Sequence, residues 1–299
     1  MQKKLILGDT HIEKSCFDEL ENVFTEVLKN KKGCGAIICL GDYYDKKNPT
    51  ASEIEFGTKW AAIFKKEFGR FIMIEGNHPA IDDTSSSVKY LKHCGIELYD
   101  DTLFDSVYYG HYMVQESLCG FGETKTALDL VTLYPLSVLG HQHSFQEINL
   151  PNELGSIVHL GSCRYVDFGE AKDPAKVFAI EENGQLTIVP LHSVRPMKVV
   201  YNVSECEHLP PHYQVCLDIK SFAQLKRESS QIEMYKSKFF KFKVKFSFVK
   251  QQATLVLDGN SSVKVDVGDI VNKWLGTVAD EEVRAELVNQ MKLEGIACS

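Results

Sequence analysis

The stretch Lys4-Leu5-Ile6-Leu7-Gly8-Asp9-Thr10-His11 sets a short apolar strand directly before a Gly-Asp-x-His turn. The arrangement recurs down the first half of the chain. Ala36–Leu40 leads into Gly41-Asp42-Tyr43-Tyr44-Asp45, Phe71–Ile74 into Gly76-Asn77-His78, and Leu136–Leu139 into Gly140-His141-Gln142-His143. Val107–Met113 carries Gly110-His111. Between these strands lie stretches of helical spacing. Cys16–Leu28 aligns Leu20, Val23, Phe24, Val27 and Leu28, Ser52–Phe64 aligns Ile54, Trp60, Ala61 and Phe64, and Ser87–His93 is a weaker third. Strands alternating with helices predict an α/β layered fold. The intervals along Asp9, Asp42, Asn77, His111 and His141 are 33, 35, 34 and 30 residues. Each is about one strand–helix–strand unit, which returns the chain to the same edge of a sheet. Ligand sites of open α/β sheets gather beyond the carboxyl ends of strands, and these polar residues fall there. The glycine before each motif permits a sharp turn and a close ligand approach.

From about Gln146 the texture changes to strands and turns. Glu147–Leu150, Ser156–Leu160, Val177–Glu181 and Gln185–Leu191 read as strands. The last two flank Glu182-Asn183-Gly184, a hairpin signal because Asn-Gly accepts positive φ. A boundary near Ser193–Pro196 divides the chain into a domain of residues 1–195 and a smaller one of residues 196–299. In the smaller one Phe240–Phe248 alternates strictly between an apolar face and a face of Lys241, Lys243, Lys245 and Ser247, the pattern of a half-buried strand. Val283, Leu287, Val288 and Met291 predict a closing helix over Asp280–Glu294.

Composition sets bounds on partners and compartment. Of 299 residues, 44% are hydrophobic and 25% charged, as in ordinary globular proteins. No apolar run approaches the roughly 20 residues of a membrane span, and the first apolar run stops at Asp9, short of a leader sequence. Nine cysteines without a Cys-x-x-Cys pair read as reduced thiols, so the expected location is cytoplasmic rather than secreted. The net charge of −8 argues against coating nucleic acid by bulk charge. Lys198–Lys250 nevertheless holds ten Lys/Arg and five Asp/Glu, net +5, against −13 elsewhere, so any such contact is local.

Two carboxylates, one carboxamide and four imidazoles are too many for a mononuclear site and suit a dinuclear one. Hard oxygens mixed with borderline nitrogens favour Mn, Fe or Zn over Ca or Mg. Two divalent cations on only two carboxylates leave a formal +2 centre, which attracts and polarises a phosphate. His93, His192, His208 and His212 stand outside the motifs and read as structural or surface residues.

At these residues the sequence resembles the calcineurin-like metallophosphoesterase superfamily. Its pattern of GD-x-H, GD-x-x-D, GNH-[DE], a lone H and GH-x-H occurs here in order. The resemblance implies an α/β fold in the form of a four-layer αββα sandwich. It implies that Asp9, His11 and His143 hold one metal ion, that Asn77, His111 and His141 hold the other, and that Asp42 bridges. His78 would be catalytic, facing the scissile phosphate and stabilising or protonating the leaving oxygen. The pattern is broken at Pro79, where an acidic residue usually stands. Asp45 matches the last position of its motif and is expected to support the ligands rather than bind metal.

Leu160-Gly161-Ser162-Cys163-Arg164-Tyr165-Val166-Asp167-Phe168-Gly169-Glu170 is similar to the G-S-x-x-x-x-x-[FL]-x-E stretch of SbcD-type DNA-repair nucleases, which also append a small C-terminal capping domain. This implies a Mn²⁺-dependent nuclease, with Fe or Zn as alternatives, in repair, recombination or replication. Its activities would be 3′→5′ exonuclease on DNA ends and endonuclease on single-stranded DNA or hairpins. The implied partner is an SbcC-type coiled-coil ATPase, with homodimerisation open and no membrane association. The lysine face, with Arg164 in the catalytic half, then tracks a phosphate backbone; the alternative is a lysine-protected sheet edge. Competing functions are a small-molecule phosphodiesterase or phosphatase using the same centre, and a non-catalytic scaffold. Loss of ligands usually marks the last, and all seven are present.

Overall fold

The computed structural model describes residues 2–77, 86–120, 122–151, 154–247, 255–257 and 261–263, with the single helical positions Ala285 and Val288. His78, Pro79 and most of the expected helix over Asp280–Glu294 lie outside the described residues. The first elements are β1 (Lys4–Leu7), α1 (Phe17–Lys29), β2 (Ala36–Cys39), α2 (Ala51–Phe68), β3 (Arg70–Ile74), β4 (Glu97–Tyr99), β5 (Thr102–Phe104) and β6 (Val107–His111). There follow α3 (Ala127–Leu133), β7 (Leu136–Gly140), β8 (Gln146–Asn149), β9 (Ser156–His159), β10 (Val177–Glu182), β11 (Gln185–Pro190) and β12 (Met197–Val200).

Side-chain alternation along short strands decides the layering. In β1, β2 and β3, Leu5, Leu7, Ile37, Cys39, Phe71 and Met73 face one way, into a core completed by Leu20, Val23, Phe24 and Val27 of α1 and Trp60, Ala61 and Phe64 of α2. Their neighbours Ile6, Ile38, Ile72 and Ile74 face the other way, onto Val107, Tyr109 and Val138 of β6 and β7. Tyr108 and Leu139 alternate in turn to a third core with Ile157 of β9 and Ala127, Leu130 and Val131 of α3. Three cores separate four layers, α–β–β–α. Strands buried on both faces must be apolar throughout, which is why these segments carry no polar alternation.

The first sheet has the order β11-β10-β1-β2-β3-β4 and the second β5-β6-β7-β9-β8. β1 to β4 are parallel, as are β6, β7 and β9, while β10, β11, β5 and β8 run antiparallel to their neighbours. Ser87–His93 corresponds to a 3₁₀ helix at Lys89–Cys94 rather than a full helix. β4, β5 and α3 are absent from the sequence expectation because three-residue strands and a seven-residue helix are too short to show periodicity.

By compactness the chain forms two units. One comprises Met1–Val199, Pro210–Val215 and Phe239–Lys241, and the other Val200–Leu209, Cys216–Lys238 and Phe242–Ser299. The second unit takes most of β13 (Gln214–Ile219), α4 (Phe222–Lys236) and β14 (Lys241–Phe246), with a β15 (Leu255–Leu257) and β16 (Ser261–Val263) antiparallel pair. α4 is capped by Ser221 and buries Leu225, Ile232 and Tyr235. Along β14 the lysines are exposed and Phe242, Val244 and Phe246 are partly or fully buried, as the alternation predicts. No helix among the described residues is long and apolar enough to cross a membrane.

Candidate metal centre

The candidate residues sit on the loops that leave the carboxyl ends of five parallel strands. Asp9 and His11 follow β1, Asp42 follows β2 and Asn77 follows β3; His111 ends β6, and His141 and His143 follow β7. The first two loops are laced together by His11 N–H donating to Asp42 O and Ile12 N–H to Tyr43 O, both at 2.9 Å. His11, Asp42 and His141 adopt positive φ, 45°, 41° and 77°, a region that non-glycine residues enter at a cost. Such conformations persist where the surroundings hold them, and here they turn three side chains inward. Two glycines make the close packing sterically possible. A Cβ on Gly41 would lie 2.2 Å from His111 Nδ1, and one on Gly76 would lie 2.1 Å from Asp42 Oδ1.

Two groups of ligand atoms result. Asp9, His11 and His143 form one and Asp42, His111 and His141 the other, each with its atoms within 4.8 Å of one another. The Nε2 atoms of His11 and His143 face each other at 3.0 Å. Asp42 Oδ2 lies between the groups, 3.3 Å from His111 Nε2 and 4.0 Å from His11 Nε2. Asn77 Oδ1 is 3.0 Å from His111 Nε2. Asp9, His11 and Asp42 are buried, while His141 and His143 are half-buried and Asn77 is exposed, so the centre opens to solvent on one side.

The electrostatics favour positive charge. Burial drives the His111 imidazole down, but Asp9 and Asp42 overcome it and raise it to about 9. Burial raises the Asp9 carboxyl against the pull of three neighbouring histidines. Asp9 Oδ2 accepts from His141 N–H at 3.0 Å, whereas Asp9 Oδ1 has no hydrogen-bond partner among the described residues. A buried carboxylate oxygen that accepts no hydrogen bond and lies 3.7 Å from the His111 imidazole, beside other converging imidazoles, fits a cation ligand. The residues therefore fit a pair of divalent cations.

The surrounding residues hold these side chains in place. Asp45 Oδ1 lies 3.3 Å from His11 Nδ1. Glu170 Oε1 lies 3.2 Å from His143 Nδ1, and its other oxygen takes Ser162 Oγ at 3.0 Å and Lys176 Nζ at 2.5 Å. Burial opposes ionisation of Glu170, but His143 and Lys176 outweigh it and bring the carboxyl down to about 2. Leu40 O lies 2.8 Å from His111 Nδ1. Sequence motifs alone assigned no role to Glu170 or Lys176; the signal for Glu170 was its place closing the Gly161–Glu170 stretch. One expectation is overturned. Arg164 does not face a nucleic acid: it is 3% exposed and donates from Nη2 to His11 O at 2.7 Å and from Nη1 to Tyr165 O at 3.3 Å. His93, His192, His208 and His212 are all exposed.

Known proteins compare as follows. A hypothetical protein of Pyrococcus horikoshii OT3 is 13% identical, with 64% of this chain and 88% of that one covered and a TM-score of 0.43. The nuclease MPE of Pseudomonas putida is 15% identical, with 62% and 87% covered and a TM-score of 0.35. No curated protein sequence matches. The family model described as calcineurin-like phosphoesterase matches residues 3–200, the span that contains every ligand candidate and both sheets. With that match over about two thirds of its length, the chain belongs to the calcineurin-like phosphoesterases, hydrolases that bind divalent metals.

Proposed function

We propose that this phosphoesterase is a Mn²⁺-dependent DNA nuclease of the SbcD type, a 3′→5′ exonuclease and single-strand endonuclease that works with a coiled-coil ATPase in DNA repair, recombination or replication. The observation that carries the reading is the Gly161–Glu170 stretch. The stretch resembles the nuclease motif, and within the fold it supports the centre, since Glu170 backs His143 and Ser162 binds Glu170. Exposed lysines at alternate positions of β14 supply a surface that suits a phosphate backbone.

In this reading Asp9, His11 and His143 hold one cation, Asn77, His111 and His141 hold the other, and Asp42 is shared. Divalent cations held there would supply Lewis-acid charge that offsets the phosphate's negative charge and lowers the pKa of water. The chain's own residues fix the geometry: Asp45 and Glu170 hold the rings of His11 and His143, and the buried Asp9 and Asp42 place negative charge where the cations go. His78 assists departure of the 3′-oxygen. Residues 196–299 form a smaller domain that contacts DNA or the ATPase.

The test is an assay of purified protein with Mn²⁺ on labelled single-stranded, duplex and hairpin DNA, with Asp42→Ala as the inactive control. Cleavage by the wild type and not by Asp42→Ala supports the reading. Hydrolysis of a p-nitrophenyl phosphodiester with no cleavage of any DNA at low salt would overturn it and place the chain among small-molecule phosphodiesterases.

A further inference from the structure

Three consecutive residues bind the backbone of one ligand group. Ser162 N–H donates to His143 O at 2.9 Å and Cys163 N–H donates to Asp9 O at 2.9 Å. Arg164 Nη2 donates to His11 O at 2.7 Å. The three acceptors are the carbonyls of Asp9, His11 and His143, the members of a single candidate metal group. A second buried cation repeats the device, since Lys176 Nζ donates to His143 O at 2.9 Å while paired with Glu170 and Asp173.

We propose that Ser162–Arg164 is a clamp on the backbone of the Asp9/His11/His143 group, and that Arg164 is its positioning residue for metal binding. His11 needs such a clamp because its φ of 45° is unfavourable for a residue with a Cβ and a ring. Relaxing that backbone angle swings the imidazole away from His143. A guanidinium suits this role because its planar fork reaches His11 O and Tyr165 O at once. Burying a cation is costly, and placing one beside a site for divalent cations is repulsive as well. Its field alone works against metal affinity, so any benefit of Arg164 to the metal is geometric.

That contrast gives the experiment a sign. The inference rests on the two-cation reading of the centre, which Mn²⁺ titration of the wild-type chain by calorimetry checks first. Wild type binding fewer than two ions sinks that reading itself. With two ions bound, His143→Ala identifies which binding step belongs to the clamped group. Arg164→Met is then expected to weaken that step roughly 10–100-fold, as loss of a ligand's supporting partner typically does, and to leave the other step unchanged. Arg164→Lys, which keeps a cation and one donor, is expected to fall between the two. Circular dichroism and thermal unfolding in chelator establish that each variant is folded. Binding at the clamped group that is unchanged, or tighter as the field alone dictates, overturns the proposal. Should Arg164→Met not fold, Arg164→Lys decides: a selective weakening supports the clamp, and wild-type affinity at both steps refutes it.

Discussion

His159 ends β9 fully buried, with Ser117 Oγ 2.7 Å from its Nε2, and burial holds its imidazole down at about 4. In the unfolded chain the same ring titrates near 6.5. The folded state thus binds fewer protons between these values, and stability present above pH 6.5 is lost as pH falls through about 4. The loss is on the order of 3 kcal/mol. His159→Gln removes the titration, so the stability difference between wild type and variant is expected to shrink by that amount from pH 7.5 to pH 4. Urea unfolding in chelator at several pH values measures it, and a pH-independent difference would refute the assignment. At this scale the candidate ligands were legible, because Asp9, His11, Asp42, Asn77, His111, His141 and His143 stand in ordered motifs. Arg164 was not. An arginine after Gly-Ser-Cys carries no local mark of burial, which depends on a carbonyl 153 positions away in the chain.

Helix α2 shows how much an element's ends contribute. Glu53 N–H donates to Thr50 Oγ1 at 3.4 Å, and Thr50 N–H donates to Glu53 Oε2 at 2.6 Å, a reciprocal capping box. Glu53 Oε1 also accepts from Lys14 N–H at 3.0 Å, tying the helix start to the loop after β1 that carries His11. Thr50→Ala is expected to cost about 1 kcal/mol of stability, seen as a lower urea midpoint with an unchanged slope. The same signature, Thr126 with Asp129, opens α3. Thr-x-x-Asp was available in the sequence to mark that helix, although seven residues left too little periodicity to confirm it. α4 escaped for a different reason. Its buried residues Leu225, Ile232 and Tyr235 are sparse among polar ones, and partners elsewhere, such as Tyr201 O accepting from Gln224 at 2.6 Å, complete it.

For the molecule as a whole, the net charge of −8 is a poor guide because the charge is segregated. Exposed Lys241, Lys243 and Lys245 lie at alternate positions of one strand, and the buried alternates fit both a phosphate-tracking face and a protected edge. Salt dependence separates them. If each lysine meets one phosphate of duplex DNA, the triple variant Lys241→Gln/Lys243→Gln/Lys245→Gln reduces the slope of log affinity against log salt by about 3. Fluorescence anisotropy over a salt series measures this slope. An unchanged slope, with greater aggregation of the variant, assigns the lysines to edge protection instead.

What is local can be read from the residues alone: apolar runs that must be strands, turns that need glycine, and the ordered Asp, Asn and His residues that end them. These follow from short-range sterics and from side-chain chemistry, both of which a sequence states outright. Tertiary structure decided the rest. It divided the candidates into groups around Asp42, set Glu170 and Asp45 against particular imidazoles, and turned Arg164 inward onto the His11 carbonyl. Those outcomes depend on which strand ends two stacked sheets bring together, and burial and partnership between distant residues exist only once they are packed.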